Sequence, residues 1–327
     1  MDIYKLKYGC NNYQDNSTID LTNNKLFEIL NGKPGYINIL DAINSWYLVN
    51  EVKYSINKIC CASFKHVSPA GVSIGDNALD IYKNARECDP KSSFGDFIAV
   101  NTLVTIELAE YIKTKVSDGI IALDYTEEAL NILKNKKNGS FIVLKGNEID
   151  FKNENMIEEK IYKNIKITQD NNNYVFSEKD LCNIVTDNKE INENIINDII
   201  LSNITLKYTQ SNSVCISYNG NTIGIGAGQQ SRIDCVKLAK RKGLIYLLRK
   251  NPELKLDFRD NLKYQEKVNA TIQYLENDMS INEYNLWKEL FNNIPKFLTE
   301  NEKKSYISKI NNIIIASDGF FPFRDNI

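Results

Sequence analysis

One unit of sequence limits the fold more than any other. An apolar run, Gly119 to Leu123, is followed by a helical pattern over 126–137 and a second apolar run, Phe141 to Leu144. Thr126 stands at the helix start with Glu127 and Glu128 in the first turn, residue types that cap a helix and complement its dipole. Strand, helix and strand in that order predict a layered α/β domain. Ile59 to Phe64 reads as another buried strand, running into Lys65-His66-Val67-Ser68-Pro69-Ala70-Gly71, where Pro and Gly predict a loop. Upstream, Ile39, Ala42, Ile43, Trp46 and Val49 recur at helical spacing through 38–52. The stretch 97–113 reads as strand then helix, and the first thirty residues as polar and turn-rich.

The later sequence keeps the same character. Ile191 to Tyr208 looks helical, and Ser213 to Tyr218 and Thr222 to Ile225 are strands joined by Asn219-Gly220-Asn221, a hairpin signal. Gln229 to Gly243 predicts a helix ended by its glycine. Residues 250–312 carry helical spacing, with Trp287, Leu290, Phe291 and Leu298 as core candidates, and Ile313 to Ala316 reads as a strand. Residues 146–200, rich in Asn, Asp, Glu and Lys, predict a polar connection between two subdomains.

Composition excludes several classes. With 43% hydrophobic residues over 327 positions, the chain buries enough surface to offset its conformational entropy. Forty Lys and Arg against 42 Asp and Glu leave a net charge of −2, so nucleic acid and anionic membrane are not expected partners. The longest apolar runs fall short of a membrane span, and Met1-Asp2-Ile3-Tyr4-Lys5 has no apolar secretory segment, so a cytoplasmic protein is expected. Seven cysteines without a CxxC pair, and one histidine, predict reduced thiols and no metal site.

Four places hold candidate chemistry. His66 is the only histidine, so it is the one side chain whose ordinary pKa suits proton transfer near neutrality; the alternative is an incidental loop residue. Gly224 to Arg232 is glycine-rich before a helix, fit for an anion or simply for a turn. In Thr209-Gln210-Ser211-Asn212-Ser213, Asn212 has an amide for a developing oxyanion, or the run is an ordinary polar loop. Phe320-Phe321-Pro322-Phe323 with Arg324-Asp325 is either a packed corner or a platform for a flat heterocycle.

Together these segments resemble AICAR transformylase (phosphoribosylaminoimidazolecarboxamide formyltransferase), the transformylase portion of the bifunctional purine-biosynthesis protein that also carries IMP cyclohydrolase. The resemblance rests on Leu6 to Gly9, Leu30 to Asn38, Ser63 to Gly71, Ser92 to Asp96, Val116 to Ala122, Lys207 to Val214, Gly224 to Arg232 and Ser317 to Asp325. It implies two zinc-free, cytidine-deaminase-like α/β subdomains, 1–160 and 161–327, with a helical insertion at about 250–312 in the second. It further implies a cytoplasmic homodimer with sites at the interface. The implied reaction is formyl transfer from 10-formyltetrahydrofolate, as co-substrate, to the 5-amino group of AICAR. The competing expectation is a degenerate homologue that binds purine nucleotide without catalysis.

Residue by residue, the resemblance makes Lys65, His66 and Asn212 catalytic. Lys7, Tyr8, Asn38 and Arg232 match nucleotide-holding positions, and Ile233, Phe320 and Asp325 folate-holding ones. Lys7 stands where the family usually has Arg, Asn12-Tyr13 where it has Pro-His, Leu123-Asp124 where it has Pro-Gly, and Asn147 where it has Asp. The resemblance implies a further strand and a basic tail past the equivalent of Ile327, so the chain is expected to be either a fragment or a form that has lost that tail, and no cyclohydrolase activity is expected.

Overall fold

The computed structural model describes residues 2–152, 157–185, 187 and 189–323. A nine-stranded mixed sheet runs through the molecule between helical layers. In chain order its strands are β3 (Phe27–Asn31), β4 (Ile59–Lys65), β5 (Ser68–Gly75), β6 (Asp96–Val104), β7 (Ser117–Tyr125), β8 (Ile142–Gly146), β11 (Val214–Tyr218), β12 (Asn221–Gly226) and β13 (Ile314–Ser317). Across the sheet the order is β13-β11-β12-β5-β4-β6-β7-β8-β3. Only β6–β7 and β7–β8 pair in parallel; the other neighbours are antiparallel. Two small hairpins stand apart, β1 (Ile3–Lys5) with β2 (Thr18–Asp20) and β9 (Ile157–Tyr162) with β10 (Ile165–Asp170).

Alternation along the strands feeds both helical layers. Cys60, Ala62 and Phe64 join one core with Trp46, Leu48 and Val49 of α1 (Tyr36–Ile56) and Leu201 and Ile204 of α5 (Glu193–Lys207). Cys61, Ile98 and Val100 join the opposite core with α2 (Ala78–Cys88), α3 (Ile106–Lys113) and α4 (Glu127–Asn135). The pleat sends successive side chains to opposite faces, so a continuous apolar run is what a strand buried on both sides requires. Thr126 caps α4 as expected, its hydroxyl accepting the Ala129 N–H at 3.2 Å.

Four local expectations fail. Ser68 to Gly71 is not a loop but the start of β5, and the turn shrinks to His66 and Val67. Gly71 is there because a Cβ would lie 2.1 Å from the Ala85 carbonyl of α2. Gly243 does not end its helix: α6 (Arg232–Arg249) runs through it, starting later than Gln229. The polar stretch 146–200 contains the unexpected β9–β10 hairpin, with α5 where a helix is expected, and the first thirty residues contribute three strands.

A single sheet crosses the expected subdomain seam, and the joint is narrow. β5 and β12 share one register pair, Ser73 with Asn221. Side chains complete it: the Val72 N–H donates to Thr222 Oγ1 at 2.8 Å, and Ser73 Oγ to Asn221 Oδ1 at 2.7 Å. Beyond β12, α7 (Tyr264–Glu276), α8 (Ile281–Trp287) and α9 (Glu300–Ile307) surround their own aromatic cluster of Tyr274, Trp287 and Phe291. No helix among the described residues is long and apolar enough to cross a membrane.

Candidate active site

The β4–β5 turn, the starts of β6 and β7, the first turns of α1 and the segment 5–17 enclose a cavity of about 950 Å³. Lys7, Tyr8, Asn38, Lys65 and His66 all line it. Five of the expected site residues, from three separate segments, therefore meet in one place.

Asn38 ties two of these segments together. Its side-chain oxygen accepts the Gly35 N–H at 2.9 Å, closing the open start of α1, and the Tyr8 hydroxyl at 2.6 Å. Backbone bonds from Lys7 N to Pro34 O and from Tyr36 N to Tyr8 O, both 3.0 Å, fix the same segment. Burial and the nearby Asp118 carboxylate raise the Tyr8 phenol pKa, keeping it a neutral donor. Lys7 is exposed beside Tyr8, and its ammonium is a point charge, not a guanidinium fork.

His66 and Lys65 sit at the hairpin that joins β4 to β5. Lys65 pairs with Ser68, leaving His66 and Val67 as a two-residue hairpin turn with φ of 53° and 62°. That geometry normally selects Asn-Gly; a β-branched Val with positive φ is strained. His66 is exposed to the cavity, whereas the Lys65 ammonium donates to the Phe94 carbonyl. Gly95 beside it has φ 82°, and a Cβ there would stand 3.7 Å from Lys65 Nζ.

The residue that sequence reasoning missed is Asp41. It lines the cavity at 4% exposure, and its Oδ1 accepts the Val67 N–H at 2.6 Å. Burial, with Asp118 and Asp96 repelling, pushes its carboxyl up to about 7. The available signal was an acidic residue within the apolar pattern of 38–52.

Asn212, Arg232, Ile233 and Phe320 lie outside that cavity wall, across the sheet joint. Asn212 donates to the Gln229 and Gln230 carbonyls at 3.0 and 3.2 Å, and its oxygen accepts from Arg232 at 2.9 Å. Arg232 also donates to Ser213 O at 3.1 Å and pairs with Asp318. Both amide hydrogens of Asn212 are thus engaged, and Arg232 already has a carboxylate partner. Ile233 is half-buried in the first turn of α6, Phe320 is 83% exposed, and Asp325 lies outside the described residues.

The glycine-rich run resolves toward packing. A Cβ on Gly224 would meet the Ala239 carbonyl at 2.2 Å, and one on Gly226 the Cys235 carbonyl at 2.1 Å. These glycines let α6 lie directly on β12. Among the described residues no group of three or more His, Cys, Asp or Glu side chains is placed to hold a metal ion.

Comparison with known proteins adds a family. Residues 2–242 match the family model described as the AICARFT/IMPCHase bienzyme. The bifunctional purine biosynthesis protein PurH of Clostridium acetobutylicum is 38% identical over 220 residues, 67% of this chain and 42% of that protein. Its counterpart from Petrotoga mobilis is 34% identical over 235 residues, 70% of this chain and 44% of that protein. A Clostridium botulinum PurH is 36% identical over 239 residues, 72% of this chain and 45% of that protein. The chain spans less than half the length of these curated relatives.

Proposed function

We propose, because the chain belongs to the AICARFT/IMPCHase bienzyme family, that it performs the formyl-transfer half of that family's work. In this reading it moves the formyl group of 10-formyltetrahydrofolate to the 5-amino group of AICAR, giving formyl-AICAR for IMP biosynthesis. The observation that carries it is the convergence of Lys7, Tyr8, Asn38, Lys65 and His66 on one cavity.

The chemistry asks for few groups. The AICAR amine is conjugated with its ring and carboxamide, so it is a weak nucleophile and needs a base as it attacks the formyl carbon. His66, exposed to the cavity on a short rigid turn, takes that proton. The new C–N bond forms, the bond from the formyl carbon to folate N10 breaks, and N10 regains a proton. Lys65 serves the oxyanion or the leaving nitrogen once it exchanges the Phe94 carbonyl for substrate. Asn212 does the same only after releasing the Gln229 or Gln230 carbonyl. Alignment of two bound substrates supplies much of the remaining acceleration.

Lys7, Tyr8 and Asn38 hold the nucleotide in this reading, and Arg232 joins them by exchanging Asp318 for phosphate. Ile233, Phe320 and Asp325 hold the folate. The separation of the His66 and Asn212 groups within one chain favours sites shared between two copies of a homodimer. We place no IMP cyclohydrolase activity in these residues. The commitment of Asn212 and Arg232 to partners within the chain favours one second reading, a nucleotide-binding homologue without catalysis.

A single assay separates the two. The purified chain, given AICAR and 10-formyltetrahydrofolate, is expected to form tetrahydrofolate and formyl-AICAR in equal amounts. AICAR binding without product would leave only the binding reading.

A further inference from the structure

We propose that Asp41 is a positioning residue that holds the His66–Val67 turn in its left-handed conformation and so aims the His66 imidazole into the cavity. The function of the cavity is taken from the formyl-transfer reading; the structural part of the proposal stands without it.

The His66–Val67 turn is strained. His66 and Val67 are consecutive non-glycine residues at φ 53° and 62°. Such residues persist only where their surroundings hold them, and they gather at functional sites. The strands on either side fix the ends of the turn through the Lys65–Ser68 pair but leave its inner N–H groups outside the ladder. Asp41 meets them: its Oδ1 accepts the Val67 N–H at 2.6 Å, and the adjoining His66 N–H also lowers the carboxyl pKa. The acceptor comes from α1, whose first turn is itself capped by Asn38. The histidine turn and the tyrosine wall of the cavity therefore hang from one helix start.

Burial reinforces the assignment. An acidic side chain at 4% exposure on a helix otherwise packed by Ile39, Ala42 and Trp46 is costly to keep, and hydrophobic replacement would suit that core better. The Asp41 carboxyl sits high, at about 7, because of that burial, and in either protonation state an oxygen remains to accept from the turn. Asp41 does not need to touch substrate; it acts through the backbone that carries His66.

The chain has one histidine, so one Cε1–H resonance reports its side chain without assignment. Asp41→Ala is expected to shift and broaden that resonance. It should also lower kcat about ten- to a hundredfold, the scale of a small misplacement of a catalytic group, with the AICAR KM within about threefold. Asp41→Asn keeps an acceptor oxygen in place and is expected to restore both signals. A folded Asp41→Ala protein with the original resonance and kcat would overturn the proposal. So would an Asp41→Asn protein that loses kcat while its resonance is unchanged, since the charge itself would then be needed. Should Asp41→Ala be insoluble alone, it is read on a Val67→Gly background, where positive φ costs little. There it should stay within about tenfold of Val67→Gly itself, and a loss matching His66→Ala would overturn the assignment. An unaltered chain without formyl transfer sinks the catalytic reading but leaves the resonance test in force.

Discussion

The Asn38 side-chain oxygen lies 2.6 Å from the Tyr8 hydroxyl and 2.9 Å from the Gly35 nitrogen, so one acceptor serves a helix cap and a cavity wall. Asn38→Ala removes both bonds. A lost cap and a lost hydrogen bond each cost about 1 kcal/mol, so urea denaturation should show roughly 1–2 kcal/mol lost. AICAR affinity should fall at the same time, because Tyr8 is released. Gly35→Ala should reproduce the affinity loss, since a Cβ there would lie 2.2 Å from the Tyr8 ring.

His66→Ala tests the base. General-base contributions of about 10²–10⁴ correspond to roughly 3–5 kcal/mol of transition-state stabilisation. The expected result is a kcat lower by that factor with AICAR binding little changed in equilibrium titration. Near-normal kcat with a raised KM would make His66 a binding residue.

Two buried carboxyls set a pH dependence of stability. Burial raises Asp41 to about 7 and Asp198 to about 6, from an ordinary value of 3.8. The folded state binds these protons more tightly than the unfolded one. Their contribution is fully present below about pH 4 and is lost as pH rises through about 6 and then about 7. Denaturation midpoints measured across that window should decline, and Asp198→Asn should remove the lower part of the decline. An unchanged slope in that variant would show that Asp198 does not titrate there.

Two glycines of the second half should behave oppositely. Gly226→Ala drives a Cβ to within 2.1 Å of the Cys235 carbonyl, so β12 and α6 must separate, at a cost of about 1–3 kcal/mol. Gly243→Ala meets nothing closer than 3.7 Å and removes the helix penalty of glycine, so it should stabilise by up to about 1 kcal/mol. Thermal unfolding of both variants checks the pair.

Shared sites have their own test. If His66 of one copy works with Asn212 of another, mixing inactive His66→Ala and Asn212→Ala proteins should restore part of the activity. Sites built within one chain would give none, and a monomer in sedimentation at assay concentration would refute the dimer.

Sequence reading succeeded where a residue type has one structural use. Thr126 capped its helix, and Asn219-Gly220 turned between β11 and β12. It failed at Pro69 and Gly71, where tertiary packing outweighed local preference and the glycine answered to the Ala85 carbonyl, and at Gly243, where the helix simply continues through a glycine that no close contact requires. The cavity was legible only through resemblance. Ligand sites in open α/β sheets are expected beyond the C-terminal strand ends, but this cavity opens where the parallel strands β6 and β7 begin. His66-Val67 carries no turn signature either, because the conformation is imposed by Asp41 across a separate helix.

The narrow joint between β5 and β12 makes the sheet a lever. Its two halves are riveted at Ser73 and Asn221, while β4 and β5 pair from Ile59–Gly75 to Lys65–Ser68 and keep His66 on one side of the rivet. A rotation at the rivet leaves the histidine in place against Tyr8, Asn38 and Asp41 and swings β11 and β12, with Asn212 and Arg232, relative to that cavity. The span between His66 and Asn212 within one chain is therefore set away from the cavity, by the Thr222 and Asn221 side chains that lock the pivot.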